Sequence, residues 1–335
     1  MIHRHLPFTQ SVISALFLLT ATAGLAADRV KSVPEQTVDT LEKLSGGPHA
    51  GFRANHAKGI VVTGSFTADA AAKTLTKAEH LQGAKVPVTV RFSNATGVPT
   101  LPDADPNASP HGIAIRFTAP SGQATDIVSI SYDGFPVSTP DDFLALLNAV
   151  AASGPDVPSP KPIETFLGSH PAAKAFVTAP KPAPVSYANL PFYGVNAFNF
   201  TNAAGKSQYA RYRIIPVAGD KRLTDDEAKK AAPDYLIDEL KARLAKAPVK
   251  FKLIAQLAKD GDAVNDGSIA WGKDHKEVLL GTLTLDTALA DSVAVEKKLA
   301  FSPLHLVDGI APSADPVLLA RPAAYAFSVG RRAGK

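Results

Sequence analysis

Lys85-Val-Pro-Val-Thr-Val-Arg-Phe-Ser93, Ile113-Ala-Ile-Arg-Phe117 and Asp126-Ile-Val-Ser-Ile-Ser131 decide the fold class of this chain. Each run is rich in β-branched and aromatic residues, the first with the period-two alternation of a half-buried strand. Ser121-Gly122 reads as the hairpin turn between the second and the third. Upstream, Ile60-Val-Val-Thr-Gly-Ser-Phe-Thr67 repeats the pattern, and downstream so do Val249 to Leu257 and Val278 to Leu285. Pro191 to Ile215 reads as a hairpin whose two aromatic-rich strands flank Asn202-Ala-Ala-Gly205. So many strands at close spacing predict an antiparallel barrel or sandwich.

Helices are expected between them, which makes the class α+β. Thr40 to Leu44 reads as a short helix ended by Ser45-Gly-Gly-Pro48. Phe143 to Ala152 reads as another, ended at Ser153-Gly154-Pro155. The proline-rich stretch Pro158 to Pro184 reads as a wrapping segment around a short helix near Ile163 to Leu167. Thr224-Asp-Asp-Glu227 is a capping box opening a helix to about Ala231, and Pro233 to Lys246 is amphipathic.

The 335 residues are 45% hydrophobic and 20% charged, a globular composition. The formal charge of +4 comes without a basic run or an aromatic-interleaved patch, which excludes nucleic acid as an expected partner. His3-Arg4-His5, the apolar Val12 to Leu19 and the small residues Ala23-Gly-Leu-Ala-Ala27 read as a secretory signal over residues 1–27. The apolar run is too short for a stable membrane anchor. Export to a bacterial periplasm is expected, with residues 28–335 as a single domain. Cysteine is absent, which excludes disulfides, thiolate-ligated iron and cysteine zinc sites. Methionine occurs only as Met1, so the exported chain would lack both sulfur side chains that peroxide oxidises most readily.

The candidate chemistry lies near the end of the chain. Phe301-Ser-Pro, Val307-Asp-Gly-Ile, Pro312-Ser and Asp315-Pro316 read as a loop that feeds a short helix, with Arg321-Pro322 placing proline at its first position. Arg321 and Tyr325, four residues apart, then share a helix face. A guanidinium beside a phenol oxygen favours the phenolate, a hard anionic ligand for ferric iron.

These segments, together with Arg53-Ala-Asn-His-Ala-Lys-Gly59, Val90-Arg-Phe-Ser93, Pro110-His-Gly-Ile-Ala-Ile-Arg-Phe117, Asp126-Ile-Val128 and Phe135-Pro-Val-Ser-Thr-Pro-Asp-Asp-Phe143, resemble in order and spacing the haem-binding segments of catalases. The match runs from about Phe52 to Arg332. Because the chain is short and lacks the family's flavodoxin-like C-terminal region, it is identified as a member of the catalase-related peroxidases. The resemblance implies a barrel of about eight strands with flanking helices and haem b, an iron cofactor, at its side. It implies His56 as the distal base with Ser93 orienting the ring, and Arg53, Arg91 and Arg332 on the haem propionates. Phe135 and Phe143 would wall the distal pocket. Tyr325 would ligate iron, held as phenolate by Arg321.

One departure bears on activity. Where catalases follow Asp-Leu-Val with Gly-Asn-Asn, this chain reads Ser129-Ile-Ser-Tyr132. The missing carboxamide implies peroxide reduction with a small organic donor, and weak or no dismutation. Two alternatives stay open: rearrangement of lipid hydroperoxides, as in allene oxide synthase-like relatives, and haem binding without catalysis. A monomer or homodimer is expected.

Overall fold

The computed structural model describes residues 29–334, and from Ser32 onward the chain is one compact unit. The expected secretory segment, residues 1–27, lies outside the described residues. No helix among the described residues is long and apolar enough to cross a membrane.

The strands, in chain order, are β1 Gly59–Ala68, β2 Lys85–Ser93, β3 Gly112–Thr118, β4 Ala124–Ile130, β5 Phe192–Tyr193, β6 Phe198–Thr201, β7 Ser207–Pro216, β8 Val249–Leu257, β9 Glu277–Ala288 and β10 Ile310–Pro312. All neighbours pair antiparallel, and the sheet closes through β1-β2-β3-β4-β5-β7-β8-β9 and back to β1, an eight-stranded barrel. Closure removes the unpaired sheet edges that an open sheet would expose. The closure is thinnest at β5, where a single pair, Ile130 with Tyr193, joins β4 to the second half of the barrel. The long β7 is shared on one edge by β5, at Arg213 and Ile214, and by β6, at Ser207-side residues through Ala210. Between β5 and β6 the chain leaves the sheet at Gly194–Ala197, so the expected hairpin is split in two.

Alternation along β2 explains both the core and the site. Val86, Val88, Val90 and Phe92 point into the barrel and are buried. There Phe92 stacks on Tyr187 at 5.3 Å and packs against Phe192 and Phe251 at 5.9 and 6.0 Å. The opposite face of β2 begins exposed at Lys85 and Pro87 but ends buried at Arg91 and Ser93. Something outside the barrel covers that end.

The cover is helical. The helices are α1 Val33–Leu44, α2 Ala72–Leu75, α3 Pro140–Ala151, α4 Pro162–Ser169, α5 Pro171–Thr178, α6 Asp225–Lys230, α7 Tyr235–Leu244, α8 Ser292–Lys298 and α9 Pro316–Arg332. The capping box predicted at Thr224 and Glu227 forms, with the threonine oxygen accepting from the Glu227 amide. The N-terminal helix is longer than the sequence suggested and starts at Val33-Pro34, with proline in its first turn where the missing donor is harmless. α5 arises within the proline-rich stretch, each of whose helices starts on a proline.

The C-terminal helix also starts earlier than expected. Asp315 is its cap, its carboxylate accepting from the amides of Val317 and Leu318 at 2.9 and 3.2 Å, and Pro316 is the first-turn proline. Pro322 therefore lies inside the helix and does not open it. The extra turn before Arg321 lets α9 line a cavity from Val317 to Arg332. There α1 packs on both α9 and α3, and Arg331 near the end of α9 pairs with Asp39 and Glu42 of α1.

Candidate active site

The floor of the site is a row of Cα partners that crosses five strands: Gly59, Ser93, Gly112, Ile130 and Tyr193. A parallel row one step along holds Val61, Arg91, Ala114 and Val128. Partners directly opposite in a sheet project to the same side, so both rows face outward from the barrel. A cavity of about 290 Å³ sits on this floor. His56, Ser93, Arg53, Arg91, Phe135, Phe143, Arg321, Tyr325 and Arg332, all singled out from the sequence, line it together.

His56 lies three residues before β1 and adopts a left-handed backbone, φ 56°, uncommon outside glycine. Its loop is tied to the end of β2 by the Ala57 amide to Thr96 carbonyl bond at 2.9 Å and by the Asn94 amide to Lys58 carbonyl bond at 3.0 Å. The ring lies over Gly112, where any Cβ would come within 2.7 Å of Ser93 Oγ and 3.0 Å of His56 Nδ1. Ser93 Oγ and His56 Nδ1 are 3.1 Å apart, which fixes the ring and leaves Nε2 for a substrate. His56 is half-buried and lines the cavity. Burial first, then the charge of Arg91, pushes its pKa down to about 4, against a backbone hydrogen bond at Asn94. It is therefore a neutral base at neutral pH.

Four arginines line the cavity and no carboxylate does. Arg53 and Arg332 both donate to the Leu299 carbonyl, at 2.7 and 3.2 Å. Arg91 donates to the Ala57 carbonyl at 3.2 Å. Arg332 Nε is buried and finds no hydrogen-bond partner among the described residues. Burial, followed by the like charges of Arg91 and Arg332, pushes Arg53 down to about 8. Glu296 offsets only part of that shift, and because guanidiniums keep their protons in proteins the pocket favours an incoming anion. Each protein acceptor holds an arginine by one edge and leaves donors for an incoming carboxylate.

The fourth arginine belongs to α9. Arg321 Nε and Nη2 converge on Tyr325 Oη at 3.1 and 2.8 Å, the pairing that the i, i+4 spacing predicted. Its Nη1 donates to Asn196 Oδ1 at 2.8 Å, and Asn196 Nδ2 donates to Asp315 Oδ2 at 2.7 Å. A single chain, half-buried at Tyr325 and Arg321 and buried at Asn196 and Asp315, thus runs from the phenol oxygen to the carboxylate that caps α9. Asn196 and Asp315 were not read from the sequence as site residues. The one available clue was an asparagine within the apolar run before β6, where a buried amide needs partners.

Replacing Asn196 by leucine should expose the weight of that chain. Arg321 Nη1 and the fully buried Asp315 would each lose a partner, and an unsatisfied buried polar group costs about 1–3 kcal/mol. Asn196→Leu is expected to lower stability by that amount in urea unfolding. Asn196→Asp, with an oxygen still facing Arg321 and a second carboxylate beside Asp315, should not rescue it.

The remaining walls are apolar. Phe135 and Phe143, 5.3 Å between ring centroids, close one side with Ile113 and Ile130. Pro34, Val38 and Leu41 of α1 and Val317, Ala320 and Ala324 of α9 close the other. Ile130, from the Ser129-Ile-Ser-Tyr132 departure, lines the cavity, while Ser131 Oγ accepts from the His111 amide at 2.9 Å. A slot with apolar walls, a cationic end and a phenol oxygen held by a guanidinium could hold a haem, whose carboxylates Arg53, Arg91 and Arg332 would meet and whose iron Tyr325 would ligate. Among the described residues no cluster of three or more His, Asp or Glu side chains could hold a bare metal ion.

Comparison with known proteins gives one answer. A family profile described as catalase matches residues 49–335. A catalase-related peroxidase of Mycolicibacterium paratuberculosis is 36% identical over 304 residues, which cover 90% of this chain and 95% of that protein. A catalase-related peroxidase of Synechococcus elongatus is 35% identical over 319 residues, 93% of this chain and 91% of the other. Among solved structures, a fungal catalase superposes with a TM-score of 0.75 at 24% identity, covering 88% of this chain and 62% of that one, a likeness of fold.

Proposed function

The chain belongs to the catalase family, and on that premise we propose that it is a haem b peroxidase that reduces hydrogen peroxide or organic hydroperoxides with small organic electron donors. The observation that carries this reading is the convergence on one cavity of a neutral base, His56, and a guanidinium-held phenol, Tyr325, from different parts of the chain. Haem, when bound, would supply the iron at which the O–O bond of peroxide breaks.

The chain's own residues would do the rest. His56 Nε2 takes a proton from the bound peroxide and delivers it to the departing oxygen, which leaves as water. Ser93 holds Nδ1, so that the ring does not turn between the two transfers. Arg321 keeps Tyr325 Oη directed by two hydrogen bonds. Two donor molecules then give one electron and one proton each, completing two waters per peroxide. We include export in the proposal, on the strength of the apolar Val12 to Leu19 run and the small residues that follow it.

Weak dismutation follows from Ile130. A second peroxide must be oriented for oxidation, and the sec-butyl side chain of Ile130 gives it no hydrogen bond. Ile130→Asn is expected to raise oxygen release from hydrogen peroxide several-fold, read with an oxygen electrode, while donor oxidation changes little.

The test of the reading is the spectrum of hemin-loaded protein before and after peroxide, followed by donor oxidation. The expected result is a high-spin ferric Soret band that shifts with peroxide and returns when a phenolic donor is added. Hemin that binds but does not respond to peroxide would overturn the enzymatic reading in favour of haem binding without catalysis. Consumption of a fatty-acid hydroperoxide without any donor would favour the rearrangement alternative.

A further inference from the structure

The arginine cradle has a member that does not touch the cavity. Glu296, on α8, is only 8% exposed and is absent from the cavity lining. Its Oε2 accepts from Arg91 Nε at 2.6 Å and lies 3.5 Å from Arg53 Nη1. Its Oε1 accepts from Ser292 Oγ at 2.8 Å, and Ser292 Oγ accepts from the Val61 amide of β1 at 2.8 Å. Glu296 is therefore bolted to the barrel behind the arginines and reaches them from the side away from the slot.

Its charge closes a sum. Arg321 is committed to Tyr325, which leaves Arg53, Arg91 and Arg332 as the cationic end of the slot. Three guanidiniums and one carboxylate make a net of two positive charges, nearly all of it buried, since Arg91 and Arg332 are 4% and 8% exposed. Buried charge that is not matched is costly. Two carboxylates on the ligand would match it, and one or none would not.

We propose that Glu296 is a positioning and charge-setting residue, which pins Arg91 from behind and fixes the cradle at two net positive charges, the charge that two ligand carboxylates neutralise. The charge match rests on the haem reading, because hemin is the dicarboxylate in question. Arg91 has Nε on Glu296 and Nη2 on the Ala57 carbonyl, which leaves Nη1 for a ligand carboxylate. Without the carboxylate behind it, the three guanidiniums would repel one another and the slot would hold a surplus charge that a two-carboxylate ligand cannot neutralise.

The measurement is the ratio of dissociation constants for hemin dimethyl ester and hemin, each titrated by Soret absorbance, in wild type, Glu296→Gln and Glu296→Asp, with folding checked by circular dichroism. Glutamine keeps the acceptor for Arg91 but removes the charge. The ratio is then expected to rise about tenfold, because a charge added within a few ångströms of both ligand carboxylates favours hemin over its neutral ester. Aspartate keeps the charge but withdraws it from Arg91, and the ratio should stay within about threefold of wild type. The double variant Glu296→Gln/Arg332→Gln, back at two net charges, should fall from the single variant's ratio toward that of wild type. An unchanged or lowered ratio in Glu296→Gln, or a change of more than about threefold in Glu296→Asp, overturns the proposal; should Glu296→Gln not fold, the double variant decides, a ratio within about threefold of wild type supporting the proposal and a large fall overturning it. Wild-type protein that binds no hemin would instead sink the haem reading itself.

Discussion

His56→Ala is expected to slow the reaction with peroxide by about 10²–10⁴-fold while hemin stays bound. The two halves of that outcome come from different contacts. On the proposed reading Tyr325 and the arginines would hold the cofactor without help from the imidazole, so removing the ring should leave binding in place. The ring supplies the base, and no other side chain that lines the cavity offers one: its titratable neighbours are arginines and the tyrosines Tyr193 and Tyr325. The measurement is stopped-flow mixing of hemin-loaded protein with peroxide, monitored in the Soret band. A rate within a few-fold of wild type at full hemin occupancy would remove His56 from the mechanism. Ser93→Ala, which frees the ring without deleting it, should have a smaller effect, about tenfold.

The same residue fixes the acid side of the pH profile. Only neutral imidazole takes a proton, so the rate follows the deprotonated fraction of His56. The pKa is pushed down to about 4, mainly by burial and next by Arg91. Carboxylates bound to Arg91 would cancel part of the second cause but not the first. The acid limb should therefore lie below the ordinary histidine value, between about 4 and 6.5, with the rate flat above it and falling tenfold per pH unit below it. In His56→Ala that limb should vanish from the residual rate.

Why some of this was legible in the sequence and some was not follows from the range of each interaction. β8 reads directly from Val249 to Leu257 because its period-two pattern is local. The Arg321 and Tyr325 pairing reads for the same reason: one helical turn connects them, wherever the helix begins. The start of α9 was misplaced because Arg321-Pro322 and Asp315-Pro316 are equally good local signals, and only the buried position of Asp315 against Asn196 decides between them. The row Gly59, Ser93, Gly112, Ile130 and Tyr193 depends on register across five strands, which no single segment encodes. Glu296 is the extreme case. On α8 it is one charged residue before Lys297 and Lys298, an ordinary solvated face, until tertiary packing sets it 205 residues away against Arg91.

Tyr325→Phe should abolish stable hemin binding, and the argument for it combines coordination with burial. The phenylalanine ring fills the same space, so α9 and its apolar contacts should fold as before. What is lost is one oxygen. Partners that merely orient a metal ligand are worth about 10–100-fold in affinity, so loss of the ligand itself should weaken hemin binding by more than about 100-fold. The loss is compounded on the protein side, because Arg321 Nε and Nη2 then face an apolar ring with nothing to accept their hydrogen bonds. Leaving those donors unmet costs about 1–3 kcal/mol, which a fall in the urea midpoint of the hemin-free protein would register. Whatever hemin still binds, through the arginine cradle alone, should lack a tyrosinate ligand and show a changed ferric spectrum. Hemin retained at wild-type affinity with an unaltered spectrum would mean that the iron is held by another group, and the assignment of Tyr325 would fall.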